Sequence, residues 1–136
     1  MADQVRRVEY CYVEVADKPG EGVRVLATLK EAGINLLSFT AFPTASGKVQ
    51  VDVAAQDAEG VVRALKAAGL TVSGRKPALF VQGSDRAGAG AEVLRKLASA
   101  GVNVRAANAS AAQGGYGMIL WFAPGDFAAA AKALGA

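Results

Sequence analysis

The sequence predicts an α+β protein of two tandem units, each an antiparallel sheet with helices on one face. Two observations carry this. Residues 17–35, DKPGEGVRVLATLKEAGIN, return without a gap half a chain later as residues 85–103, DRAGAGAEVLRKLASAGVN, and a repeat of that length marks a recurring structural unit. Around both copies, strand-like alternation and helical spacing follow one another in the same order. Half of 136 residues is marginal for an independent core, so the units are expected to share a sheet or a helix layer.

The elements can be justified in turn. Residues 8–15 (VEYCYVEV) are β-branched and aromatic, alternate against Glu9 and Glu14, and predict a first strand. The helix that follows carries Val25, Leu26, Leu29 and Ala32, matched by Val93, Leu94, Leu97 and Ala100, as a buried stripe. Pro19 suits its first turn, and Gly33 suits a left-handed C-terminal position. Residues 34–42 predict strand two, residues 43–47 (PTASG) a turn, and residues 48–53 (KVQVDV) a half-buried strand three. A second helix spans 56–68, opened near Asp57 and ended by Gly69, with residues 70–72 as a short fourth strand.

Residues 73–77 (SGRKP) are the linker candidate, which gives units of residues 1–75 and 76–136. The order then repeats: a strand at 78–82, a helix at 88–100, a strand at 102–109, a turn at 113–117, a strand at 118–122, and a helix opened by Pro124 that runs to Leu134. The first unit thus reads β-α-β-β-α-β, the ferredoxin-like arrangement. The second lacks residues for its own final strand, so its edge is expected to be covered by the first unit or by a partner chain.

Composition excludes several chemistries. The chain has no histidine, which removes Ser–His, Cys–His and His–metal sites, and one cysteine, which removes an intramolecular disulfide. Cys11 lies in the first strand and reads as a small buried hydrophobe. A formal charge of +3, spread over helices and turns, does not point to nucleic acid. No apolar run approaches a membrane span and no leader-like segment opens the chain, so a cytoplasmic protein is expected. Gly88 and Gly90 open a helix after a strand but lack the third glycine of a dinucleotide fingerprint, since Val93 stands in its place. The cluster Trp121, Phe122 and Phe127 reads as core or interface.

The residues that packing does not explain are the Asp-x-x-Gly before each repeated helix and the Gly-apolar-Asn after it. On these the chain resembles the ACT domain family, closely in residues 17–35 and more weakly in residues 85–103. With the flanking strands the likeness covers nearly the whole chain as two copies. The resemblance implies a free-standing regulatory protein that binds a small molecule, usually an amino acid, at the interface between units, with no catalysis and no cofactor. Unpaired strand edges and units of this size also predict a homodimer or a larger even assembly. The ligand-binding positions it implies are Asp17, Lys18, Pro19, Gly20, Glu21, Asn35 and Leu36, and in the second copy Asp85, Arg86, Gly88, Ala89, Asn103 and Val104. The family often has Asn where this chain has Asp17 and Asp85, and a carboxylate there favours a ligand's ammonium. Ala87 replaces the proline in copy two.

The physical reading of those residues keeps two alternatives. A helix N-terminus offers unpaired amides and partial positive charge to a carboxylate, glycines allow close approach, and an asparagine both donates and accepts. Equally, Asp17 and Asp85 can be plain helix caps and the asparagines plain turn residues. Among whole-protein readings, a second is a regulatory subunit for a separate enzyme such as an aspartokinase, as tandem ACT pairs serve. An RNA binder would need exposed aromatics on the central strands, and strand three has none. A ferredoxin-like barrel enzyme would need an acid–base pair that is not evident.

Overall fold

The structure is a computed structural model and describes residues 3–45 and 47–136. Ten principal elements follow one another: β1 Gln4–Ala16, α1 Glu21–Glu31, β2 Ser38–Pro43, β3 Lys48–Ala55, α2 Ala58–Ala67, β4 Lys76–Ser84, α3 Ala89–Ser99, β5 Ala106–Ala112, β6 Gly115–Trp121 and α4 Phe127–Leu134, the last entered through a 3-10 turn at Pro124–Asp126. The class is α+β with antiparallel ladders. The chain divides into two compact units. The leading unit is Glu9–Lys76, and the trailing unit joins the described residues of Met1–Val8 to Pro77–Ala136.

In the leading unit the strand order is β2-β3-β1. β1 runs against β3 from Glu9↔Ala55 to Ala16↔Lys48, and β2 against β3 from Ser38↔Ala54 to Pro43↔Val49. Alternate strand residues share a face, so Cys11, Val13 and Val15 stand beside Val51 and Val53. They meet Val25 and Leu29 of α1 and Val61 and Leu65 of α2 in one buried core. Cys11 is part of that core, and burial pushes its thiol up to about 11, beyond nucleophilic use near neutral pH. In the trailing unit the order is β1-β4-β6-β5. Leu79, Val81, Met118 and Leu120 pack there against Val93 and Leu97 of α3 and Ala130 and Ala131 of α4.

The helix stops follow one rule. Gly33 (φ 73), Gly69 (φ 86), Gly101 (φ 72) and Gly135 (φ 77) are all left-handed. After α1, the Gly33 amide donates to Lys30 O at 3.0 Å and the Ile34 amide to Leu29 O at 3.0 Å, the paired bonds of a Schellman end. Gly69–Leu70, Gly101–Val102 and Gly135–Ala136 repeat the pattern. The Gly-apolar half of the repeated motif is therefore helix termination: Ile34 and Val102 turn back onto the cores.

Several expected boundaries move. Strand two begins at Ser38 rather than at 34, and β5 at Ala106 rather than at 102. The hairpin after β5 is tight, with Gln113 (φ 52) and Gly114 (φ 78) both left-handed, so residues 115–117 are strand and not turn. Pro19 lies ahead of α1's N-cap and not within its first turn. The expected fourth strand at 70–72 shrinks to one bridge, Val13↔Val72, with the Ser73 amide donating to Tyr12 O at 3.0 Å. In the turn after β2, Ser46 lies outside the described residues.

β1 is the largest surprise, because it starts at Gln4 and not at Val8. Its first residues belong to the trailing unit and lie beside β4, which is the strand that unit lacked in sequence. They are held through arginines: Arg6 stacks over Phe80 (5.4 Å to the ring centroid), and Arg7 lies over Phe127 (5.8 Å) and donates to Ala136 O at 3.2 Å. Val5 packs against the trailing core, and the arginine stems and flat guanidinium groups add to that packing.

Candidate functional site

Both repeated loops are built by the same three devices. The chain leaves its strand and one amide is tied to the neighbouring hairpin turn: Asp17 N–H donates to Gly47 O at 2.9 Å, and Asp85 N–H to Gly114 O at 2.9 Å. A glycine in the left-handed region then serves as the N-cap, Gly20 at φ 93 and Gly88 at φ 86. The glycine carbonyl accepts the first helical bond, from Arg24 N–H and from Glu92 N–H, each at 3.0 Å.

Neither N-cap has a side-chain hydrogen bond, so capping is not what Asp17 and Asp85 do. Asp57, by contrast, does cap: its carboxylate accepts from Gly60 N–H at 2.9 Å. The first amide of each helix donates back into its loop, Glu21 N–H to Lys18 O at 3.4 Å and Ala89 N–H to Arg86 O at 3.3 Å, and the next two amides have no intrahelical partner. Glu21 is paired with Arg24 at 3.1 Å.

Asn35 and Asn103 are exposed and precede strands β2 and β5, while Leu36 and Val104 are half-buried against the two cores. The strand registers separate them from the loops of their own unit. Ala16, next to Asp17, pairs with Lys48 at one end of β3, whereas Ser38 pairs with Ala54 at the other end. Six strand residues span about 20 Å. In the trailing unit, Ser84 pairs with Gly115 and Ala106 with Trp121, the same separation along β6. The structure thus brings Asp17, Lys18, Pro19, Gly20 and Glu21 together, and Asp85, Arg86, Gly88 and Ala89 together. It does not bring either set to the asparagine of its own unit.

One expected residue, Arg86, already holds a carboxylate. Its Nη1 and Nη2 donate to Asp3 Oδ1 and Oδ2 at 3.1 and 3.2 Å, and Tyr116 Oη donates to Asp3 Oδ2 at 2.7 Å. Arg86 also donates to Ser84 O at 3.0 Å and to Glu92 at 2.6 Å. The guanidinium holds the carboxyl groups of Asp3 and Glu92 below their ordinary range. Burial, and then the bond to Asp3, pushes the Tyr116 hydroxyl up to about 12. A Cβ on Gly83 would overlap the Asp3 carboxylate and touch the Tyr116 ring, so glycine there leaves the room that Asp3 fills. Asp3 and Tyr116 escaped sequence reading, because no local pattern links positions so far apart.

A second missed residue is Asp52, only 7% exposed on β3 between Tyr12 and Thr40 of the flanking strands. Gln50 Nε2 donates to its Oδ1 at 2.8 Å, and burial raises its carboxyl. Among the described residues no group of three His, Cys, Asp or Glu side chains is placed to hold a metal ion, and no helix is long and apolar enough to cross a membrane.

No family model matches the sequence, and neither does any curated protein. Solved structures do match. Protein BT0572 from Bacteroides thetaiotaomicron aligns with a TM-score of 0.81 at 18% identity, covering 96% of this chain and 88% of that one. The regulatory subunit of aspartate kinase from Thermus thermophilus aligns at 0.69 and 16% identity, covering 98% and 94%. Its counterpart from Thermus flavus aligns at 0.69 and 18%, with the same coverage. The chain has the fold of these regulatory subunits, in keeping with the ACT resemblance read from its two repeats.

Proposed function

We propose that this chain is a regulatory protein of the ACT type, two ferredoxin-like units in tandem, that binds an amino acid and does no catalysis. The observation that carries the reading is the duplicated loop, with its backbone tied to a hairpin turn, a left-handed glycine at the N-cap and no side chain capping the helix. Such a loop is pre-set to receive a carboxylate on its amides, with Asp17 or Asp85 near an ammonium. Because each loop and the asparagine of its own unit lie at opposite ends of a sheet, a ligand touching both takes its loop from one unit and Asn35 or Asn103 from another. This favours a homodimer or larger even assembly.

Thermal-shift screening of the standard amino acids at millimolar concentration tests this, with light scattering on the same samples. At a ligand concentration of 100 times Kd the expected stabilisation is about 2.7 kcal/mol. It should fall on Asn35→Ala or Asn103→Ala in an otherwise dimeric protein. No stabilisation by any amino acid, or a strictly monomeric chain, defeats the reading. A second role, as regulatory subunit of a separate cytoplasmic amino-acid kinase, is supported by the near full-length likeness to aspartate kinase regulatory subunits. Co-purification of that enzyme with the tagged chain tests it.

A further inference from the structure

We propose that Arg86, Tyr116 and Gly83 form a carboxylate-binding cradle in the trailing unit, that Asp3 is a tethered plug in it, and that the carboxylate of a free α-amino acid displaces the plug. The cradle has the parts such a site needs. A planar guanidinium grips both oxygens, a hydroxyl donates to one of them, and a glycine clears the space beneath. The side chain of Asp3 is 14% exposed there, so its carboxylate is covered by its partners.

The scaffold does not require this arrangement. In the leading unit the same loop geometry is present, yet the repeat places Val15 where Gly83 stands and Lys18 where Arg86 stands. The register Val15↔Val49 against Gly83↔Tyr116 places Val49 where Tyr116 stands. The loop is built there around an apolar pair, so its geometry alone does not call for the polar cradle.

Release of the plug is local, because Asp3 precedes β1, whose ladder starts at Gln4. One feature selects what replaces it. Glu92 lies 2.6 Å from Arg86 with its side chain 52% exposed, which sets an acceptor for an ammonium beside the carboxylate seat. The ammonium half of this assignment rests on the amino-acid reading above, and the carboxylate half stands without it.

A plug on a short tether competes at an effective concentration of the order of millimolar, and a seat that is open in about a tenth of molecules binds about tenfold more weakly than a free one. The test is an NMR titration of the full chain, wild type and Asp3→Ala, with sodium acetate and separately with glycine at constant ionic strength. Acetate is expected to shift the Gly83 amide and the Arg86 side chain with an apparent Kd about tenfold lower in Asp3→Ala. Asp3→Asn, which keeps the shape but not the charge, should fall between, and it serves if the alanine variant folds poorly. Arg86→Ala should abolish the response. Equal acetate affinity in wild type and both Asp3 variants, or shifts that bypass Gly83 and Arg86, overturns the plug. Glycine separates the two readings. Acetate gain without any glycine binding leaves the cradle standing and removes the amino-acid function. Glycine binding that ignores Asp3 does the reverse.

Discussion

Replacing Asp52 with asparagine should stabilise this protein at neutral pH and leave it unchanged in acid. Asp52 is a carboxylate 7% exposed on a central strand, with Tyr12 and Thr40 opposite it on either side. Ionised, it offers about four acceptor sites, and Gln50 fills one at 2.8 Å. Desolvating a carboxylate costs several kcal/mol even after relaxation, and a hydrogen bond to a charged group returns about 1.5–3 kcal/mol. A net penalty of about 1–3 kcal/mol remains while the group is charged. Asparagine has the same shape, keeps an acceptor for Gln50 and carries no charge.

The pH dependence gives the prediction its sign. Burial raises the Asp52 carboxyl above its ordinary value, whereas the unfolded chain loses that proton near pH 3.9. Between the two values the folded state holds a proton that the unfolded state has released, so stability falls as pH rises through that window. Below it both states are protonated and the penalty is absent. Urea denaturation followed by circular dichroism at pH 7.5 and near pH 4 should show a gain of about 1–3 kcal/mol for Asp52→Asn at the higher pH, shrinking toward zero at the lower. A variant less stable at pH 7.5, or a gain independent of pH, would mean that the carboxylate is stabilised by its surroundings and that burial does not dominate.

Two further predictions concern the repeated elements. Gly88→Ala places a Cβ in open space but forces alanine to φ 86, so it should cost about 1–2 kcal/mol through the backbone alone. Gly90→Ala, helical and in ordinary contact with Met118 at 3.5 Å, should be neutral or stabilising by up to about 1 kcal/mol; equal losses in the two variants on denaturation would contradict the assignment of Gly88 as the conformational glycine. Leu29→Ala and Leu97→Ala, at equivalent positions and 1% and 0% exposed, should each cost about 3–5 kcal/mol in urea unfolding. Losses under about 1.5 kcal/mol would show that those cores collapse around the cavity.

What the sequence disclosed and what it hid divide along the range of the interactions. The glycine stops, the helix opening at Asp57 and the inner stripe of Val25, Leu29, Val93 and Leu97 depend on residues within about one turn of each other and were legible. The expected stripe was too wide, since Leu94 is 44% exposed and Ala32 and Ala100 are exposed as well. The start of β1 was not, because strand patterning looks for alternating aliphatics, and residues 4–7 (QVRR) hold their place with arginine planes on Phe80 and Phe127, far away in sequence. Asp17 and Asp85 resembled caps for a local reason, an acid just ahead of a helix. The structure shows why they are not: each amide is fixed by a hairpin turn, and the cap position falls three residues later on a glycine that has no side chain to offer.

The same distinction bears on function. If the duplicated loop were only a device for starting a helix, the two copies would be free to carry the same side chains around it. They differ where the loop's architecture is indifferent: Val15, Lys18 and Val49 against Gly83, Arg86 and Tyr116. The shared features (hairpin tether, left-handed glycine, uncapped amides) set a geometry, and the unshared ones set what can occupy it. A carboxylate fits the trailing copy, as Asp3 demonstrates. In the leading copy Lys18 stands where Arg86 does, and the nearby Arg24 guanidinium is paired with Glu21, so the two loops should differ in ligand affinity. A titration that resolves the Gly20 and Gly88 amides separately would expose that difference, and identical midpoints at both would show that the side chains around the loops do not matter.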